Sequence, residues 1–456
     1  MTKTAFLQGR TAKKLYATVK DFPIVDYHCH LSPKEIYEDI PFSNIGEIWL
    51  SADHYKWRLM RTAGIDERYI TGKDTSWKEK FLKYAEAIEF SAGHPLYHWS
   101  HMELMQYFHI HTPLSSKTAE QIWEAANRYI AETDMSARKL IAQSNVETIC
   151  TADDITDDLC WHEKIAQDPT FPVSVLPSFR TDHLMPVNLE HYSDYIKKLA
   201  SVSGVEIRDL PTLKTAVRQR LVYFVEHGCR CSDIGIPMFP DWIADEARAD
   251  EIFRRILSGE AVSDEQIHGL LGNLYVYLNG LYKEFDLLSN WHLAVVRNPN
   301  ATMYAQLGVD CGADCVGNVI DGNSLIRVLN TIQVKTGLPK VILYSLNNSN
   351  ISQIASIAAS FPNVCCGAAW WFCDHKRGIE EQLNVISENA CLGGFYGMVT
   401  DSRSFLSYAR HDYFRQILCS VLGQWVESGQ YDEQTAIKLA AKISYENIKK
   451  ALRKDT

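Results

Sequence analysis

The sequence predicts an α/β chain folded as a (β/α)8 barrel, and three observations carry that expectation. Eight short apolar runs recur between stretches of helical periodicity. Titratable side chains collect at the C-terminal ends of those runs, the barrel face where chemistry gathers. No Gly-x-Gly-x-x-Gly follows the first run, which disfavours an open dinucleotide-binding sheet, and no nucleotide cofactor is expected.

Taken in order, residues 1–22 read as a helical lead-in to the first strand, 23–30. That strand ends in His28-Cys29-His30, and residues i and i+2 of a strand share a face, so two imidazoles stand side by side. Residues 33–135 then carry helical patterns. Within them Thr118-Ala119-Glu120-Gln121 reads as a capping box, followed by Ile122, Ala125, Ala126, Tyr129 and Ile130 on one face. Most aromatics of this stretch, Trp49, Trp57, Trp77, Tyr97, Trp99 and Phe108 among them, are expected to pack its own core. The chain is therefore divided into a barrel, 1–32 and 136–456, and a helical insertion, 33–135, over its mouth.

The later strands are expected at 146–151, 173–180, 228–233, 287–293, 340–346, 364–372 and 394–401. Ser289 and Asn290 dilute the fifth of the eight runs. A second helical excursion follows the fourth, where Ser263-Asp264-Glu265-Gln266 opens a stripe of Ile267, Leu270, Leu271, Leu274, Tyr275 and Leu278.

Composition narrows the function. The chain has 456 residues, 46% hydrophobic and 22% charged, with a net charge of −10. That balance disfavours nucleic acid and anionic membranes as partners, so an anionic ligand needs specific arginines. No signal-like core opens the sequence and no run approaches a membrane span, so a cytosolic protein is expected. Its 12 cysteines, Cys229, Cys231, Cys365 and Cys366 among them, are then expected as free thiols rather than disulfides or a zinc cluster. A homo-oligomer stays open.

At the strand ends stand His28 and His30 (first), Arg180 (third), Asp233 (fourth), His292 (fifth), and Asp401 with Arg403 (eighth). Each alone has a plain structural explanation: a loop cap for Asp233, a surface ion pair for Arg180, a satisfied core imidazole for His292. Independent structural needs would seldom place the whole set on one rim. Asp401 with His28 and His30 makes a two-histidine, one-carboxylate metal set. Arg180 and Arg403 suit a carboxylate, because a guanidinium fork binds it bidentately. Metal-assisted or acid–base work on a small, anionic, oxygen-rich molecule is expected.

Several longer segments resemble the uronate isomerases, an outlying family of the amidohydrolase superfamily. They are Asp26-Tyr27-His28-Cys29-His30-Leu31, Asp53-His54-Tyr55-Lys56-Trp57-Arg58, Pro95-Leu96-Tyr97-His98-Trp99, Leu176-Pro177-Ser178-Phe179-Arg180 and Trp370-Trp371-Phe372. The most specific is the block from Thr400-Asp401-Ser402-Arg403 through Arg410-His411-Asp412-Tyr413-Phe414-Arg415. The resemblance implies the metal-dependent-hydrolase version of the barrel. It also implies aldose–ketose isomerisation, D-glucuronate to D-fructuronate and D-galacturonate to D-tagaturonate. By the same resemblance His28, His30 and Asp401 hold one divalent metal, with zinc the usual ion. His54 and Tyr55 reach from the insertion to Arg403, and Arg180, Asp233 and His292 complete the hexuronate site. The residues alone would have made His54 and Tyr55 a helix-packing pair. Phe179 stands where tryptophan is common and Cys373 where a polar residue is, neither at an expected site position.

Such an isomerisation moves a proton between adjacent carbons through an enediol and needs a base and an oxyanion stabiliser. Tyr55 is a candidate base if Arg403 lowers its pKa. Asp401 or His54 could help open the ring, and the metal or His292 could polarise the carbonyl. The nearest alternative is a metal-dependent hydrolase of the same superfamily, and a mononuclear one, since Cys231-Ser232-Asp233 offers no lysine to bridge a metal pair and so disfavours a binuclear hydrolase. A sugar-acid binding protein would need the arginines but gives no reason for the metal set.

Overall fold

The structure is a computed structural model that describes residues 2–187 and 189–453. Seven parallel strands form its sheet in chain order: β1 (Ile24–Cys29), β2 (Val146–Asp154), β3 (Ser174–Arg180), β4 (Cys231–Ile234), β5 (Leu288–Leu293), β6 (Lys340–Ser345) and β7 (Val364–Cys366). Every residue of β1 and of β5 is buried, Ser289 and Asn290 included, as a parallel sheet covered on both faces requires. The sheet is curled, with helices between successive strands. A separate two-stranded ladder pairs Val295–Val296 with Cys315–Val316.

The expected eighth strand does not join the sheet. Its run begins in a 3-10 turn, Leu392–Gly394, and its end lies along β1 without forming a ladder. Asp401 N–H donates to His28 O (3.2 Å), and His30 N–H donates to Ser402 O (3.0 Å). A regular parallel pair would return that second bond to Asp401 itself. Asp401 is instead in the left-handed region, at φ 43°, which shifts the register by one residue. The seventh run is also shorter than expected. It ends at Cys366; Gly367 still donates to Leu343 O (2.8 Å) but passes so close to Tyr344 that a Cβ there would lie 2.4 Å from the ring.

Between β1 and β2 the chain is helical, as the periodicity indicates. Trp49, Phe81, Tyr84 and Trp99 are buried in an apolar core continuous with that around the sheet. Thr118 precedes the helix Ala119–Thr133 but forms no capping box. Its hydroxyl donates to Pro113 O, so the side chain serves the preceding turn. Ser263 does form the expected box with Gln266 at the start of Asp264–Glu284. All 12 cysteines are free. Among the described residues no helix is long and apolar enough to cross a membrane.

Candidate active site

The site begins with Asp26, which alternates with His28 in β1 and with His30 one residue past the strand's end. Asp26 is fully buried and takes the Thr400 backbone N–H on Oδ1 (2.8 Å) and the Thr400 hydroxyl on Oδ2. Arg410, also buried, donates to Thr400 O (2.8 Å). Thr400 is held from both sides, which fixes the next residue. Asp401 then places Oδ1 3.2 Å from His28 Nε2 and 3.1 Å from His30 Nε2, while its Oδ2 accepts from Trp370 Nε1.

A second group stands beside the first. His292 Nδ1 lies 2.8 Å from Asp233 Oδ1, and the His292 ring packs 4.6 Å from His28, centroid to centroid. His28 Nδ1 and His292 Nε2 are buried without a hydrogen-bond partner. Two buried imidazole nitrogens lacking partners are expensive unless something else meets them.

From the insertion, Asp53 caps the helix His54–Thr62. Its carboxylate takes the N–H groups of Tyr55 (3.0 Å) and Lys56 (3.2 Å) and binds Lys56 Nζ (2.6 Å), all buried or nearly so. The first helical residues, His54 and Tyr55, thereby face the sheet. Arg403 Nη1 is 2.8 Å from His54 Nδ1, and Arg403 Nη2 is 2.9 Å from Asp310. Arg180 meets Asp182 (2.8 Å), Asp233 (3.6 Å) and, through Nη1, His30 Nδ1 (3.3 Å).

All nine residues singled out in the sequence line one cavity of about 560 Å³. Asp26, Trp370, Asp182 and Asp310, which hold Asp401, Arg180 and Arg403 in place, were not singled out. Trp370 had a signal, since it opens the Trp370-Trp371-Phe372 segment just past the seventh run. Asp182 and Asp310 had none.

The electrostatics correct one expectation. Burial pushes the Tyr55 hydroxyl well above its ordinary value, and Asp374 and Asp401 add to the effect. Arg403 does not lower it, because its guanidinium is spent on His54 and Asp310; the cation over the Tyr55 ring is Arg410, at 5.3 Å. Tyr55 is thus a phenol at neutral pH rather than a ready base. His54 is lowered by burial and then by Arg403, so it is neutral. With Nδ1 accepting from Arg403, its proton sits on Nε2, which makes it a donor. Burial alone would raise Asp401, but hydrogen bonds from His28 and His30 outweigh it and hold the carboxyl well below the usual range.

The donor atoms of His28, His30 and Asp401 fit a metal ion, as do those of His28, Asp233 and His292. Ligand atoms about 2.0–2.2 Å from a tetrahedral zinc lie roughly 3.3–3.5 Å apart, close to the 3.1 and 3.2 Å found in the first group. The surroundings of His30 work against tight binding. A ligating imidazole normally donates its other N–H to an acceptor, and here Arg180 presents a donor instead.

A family model described as glucuronate isomerase matches residues 1–452. The uronate isomerase of Caldanaerobacter subterraneus is 42% identical, over 98% of each chain. The crystal structure of the uronate isomerase of Thermotoga maritima superposes with a TM-score of 0.95 at 34% identity, covering 99% of each chain. The glucuronate isomerase of Caulobacter crescentus, at 24% identity, shares the fold with a TM-score of 0.93, over 100% of this chain and 97% of its own.

Proposed function

The chain belongs to the glucuronate (uronate) isomerase family, and from that premise we propose that it interconverts D-glucuronate with D-fructuronate and D-galacturonate with D-tagaturonate. One observation carries the reading at the level of residues: a metal-capable trio, two arginines and the His54–Tyr55 pair line a single cavity. The same reading keeps 33–135 as a cap over the sheet, treats the Thr400–Ser402 segment as its closing edge, and places the enzyme in the cytosol.

His28, His30 and Asp401 would hold one divalent ion, zinc by the donor set. When bound it would supply Lewis-acid polarisation of a substrate oxygen. The chain's own residues do the rest. Arg403 takes the substrate carboxylate more readily than Arg180 does. Its acidic partner Asp310 is 57% exposed and free to yield, whereas Arg180's partner Asp182 is 16% exposed. Arg180 keeps Asp233 and His30 in place. Tyr55, as a phenol, and His54, through Nε2–H, donate to oxygens that gain charge as the enediol forms. Asp401, ionised at neutral pH, takes the anomeric hydroxyl proton as the ring opens and passes it to the ring oxygen. Ionised again, it takes the carbon-bound proton that forms the enediol and returns it to the neighbouring carbon. Proton transfer fits this set better than a hydride shift between the carbons, which is helped by a metal gripping both oxygens or by a metal pair.

Incubation with D-glucuronate and D-galacturonate, read for ketose, tests the proposal. A ketose from either sugar supports it. No product from any hexuronate would instead favour the hydrolase or the sugar-acid binder.

A further inference from the structure

Behind the wall made by Tyr55 and Trp371 lies a second cavity of about 510 Å³, which shares only those two residues with the first. Two helices begin on its wall, Pro95–Tyr107 and Lys376–Asn389, and a histidine caps each. His94 Nδ1 accepts from Leu96 N–H (3.1 Å), and His375 Nδ1 accepts from Gly378 N–H (3.0 Å). Burial lowers both imidazoles, with neighbouring cations adding to the effect, so both are neutral. A neutral ring that accepts at Nδ1 carries its proton on Nε2. The His94 cap therefore leaves an N–H donor on the cavity wall, while the His375 ring also meets the Phe372 backbone carbonyl.

Two cations join them. Arg58 stacks 4.7 Å from the Phe372 ring and spends Nη1 on the carbonyls of Gly312 and Asp314. The rest of its fork is unspent. Arg377 stands at the exposed rim. Neither arginine pairs with a carboxylate among the described residues, although the protein is acidic overall.

The remaining features point to a ligand. Asp374 lines the same cavity at 5% exposure, and its carboxyl meets its own backbone N–H but no side-chain donor among the described residues. A buried carboxyl with hydrogen-bonding capacity to spare beside the His94 donor suits a hydroxyl-bearing guest. Phe372 holds φ at 67°, a costly conformation for an aromatic residue that persists only where its surroundings enforce it. Helix N-termini add their own preference for negative charge.

We propose that this cavity binds a small hydroxylated oxyanion, held by Arg58 and Arg377 on its charge, by His94 as a donor, and by Asp374 on a hydroxyl. Such a guest is a sugar acid or a sugar phosphate, since both present an oxyanion on a hydroxylated carbon chain. Because it rests against the far side of Tyr55 and Trp371, it touches the wall of the first cavity without entering it.

Calorimetric titration of the full chain with D-gluconate, and separately with inorganic phosphate, tests this without turnover, so it stands or falls apart from the isomerase reading. Saturable binding is expected for at least one anion in an Arg403→Met background, where the first cavity lacks its carboxylate clamp, and is weakened tenfold or more when Arg377→Met or Arg58→Met is added. Gluconate binding would identify a sugar acid as the guest, and phosphate binding a phosphate ester. An unchanged thermal midpoint shows that each variant is folded, and if Arg58→Met is not, Arg377→Met decides. No binding of either anion, binding unchanged in the folded arginine variants of this cavity, or binding lost in Arg403→Met would overturn the proposal.

Discussion

Asp26 grips Thr400 with both carboxylate oxygens, one on the backbone N–H at 2.8 Å and the other on the hydroxyl, across nearly the whole chain. The clasp sets Asp401 in its left-handed conformation between His28 and His30. Asp26→Asn turns one acceptor into a donor facing a donor. A loss of about 1–3 kcal/mol in denaturant-measured stability is expected, as for a buried group left unmatched. Zinc affinity should fall with it. Stability and zinc affinity both equal to wild type would mean that Thr400 is held by Arg410 alone.

The unequal exposure of Asp310 and Asp182 bears on substrate charge. Arg403→Met should weaken uronate binding by about 2–4 kcal/mol, the cost of truncating one partner of a largely desolvated pair. A neutral aldose should lose far less. Asp310→Asn removes the competitor and should tighten the uronate. Equilibrium binding of both sugars to both variants checks this, and equal losses for the two sugars in Arg403→Met would place the carboxylate elsewhere.

The donor that Arg180 aims at His30 Nδ1 has a consequence for metal affinity. A glutamine there could accept the imidazole N–H instead. Arg180→Gln is therefore expected to bind zinc roughly tenfold more tightly, within the range of changes to groups around metal ligands. Asp401→Asn should bind it far more weakly. Competition with a chromophoric chelator measures both, and a weaker zinc complex in Arg180→Gln would show that Arg180 does not oppose ligation.

Asp374 makes stability depend on pH. Burial pushes its carboxyl up to about 7. Between about pH 4 and 7 the folded chain keeps a proton that the unfolded chain has released, so stability falls as pH rises through that window. The loss is at most about 4 kcal/mol, three units at about 1.36 kcal/mol each. In Asp374→Asn that decline should vanish. Urea denaturation at pH 5 and pH 8 should show wild type losing stability between the two, and the variant's lead over it widening at the higher pH. Parallel pH profiles would place the proton on another group.

Much of this was legible because strand ends are a local pattern. His28, His30, Arg180, Asp233 and His292 fall where alternation and apolar runs locate them, and each lies on the cavity. The eighth strand was not legible. Its run looks extended, but Asp401's backbone is set by Asp26, a partner hundreds of residues away. Tyr55 failed for a similar reason. The sequence shows a tyrosine and an arginine in one site, yet Arg403 lands on the neighbouring His54, and burial decides the phenol. Thr118 shows the limit of a capping motif, because its hydroxyl had a nearer carbonyl to serve.

Proton transfer through an enediol is the core of the functional reading, and turnover in D₂O tests it most directly. D-glucuronate incubated with wild type and Tyr55→Phe would be followed by NMR for ketose and for deuterium on the carbon next to its carbonyl. Wild type is expected to form ketose carrying solvent deuterium, and Tyr55→Phe to do so about 10²–10³ times more slowly, as when one oxyanion donor is removed. Ketose that keeps all of its substrate hydrogen over many turnovers, with Tyr55→Phe fully active, would contradict the reading and point to hydride transfer.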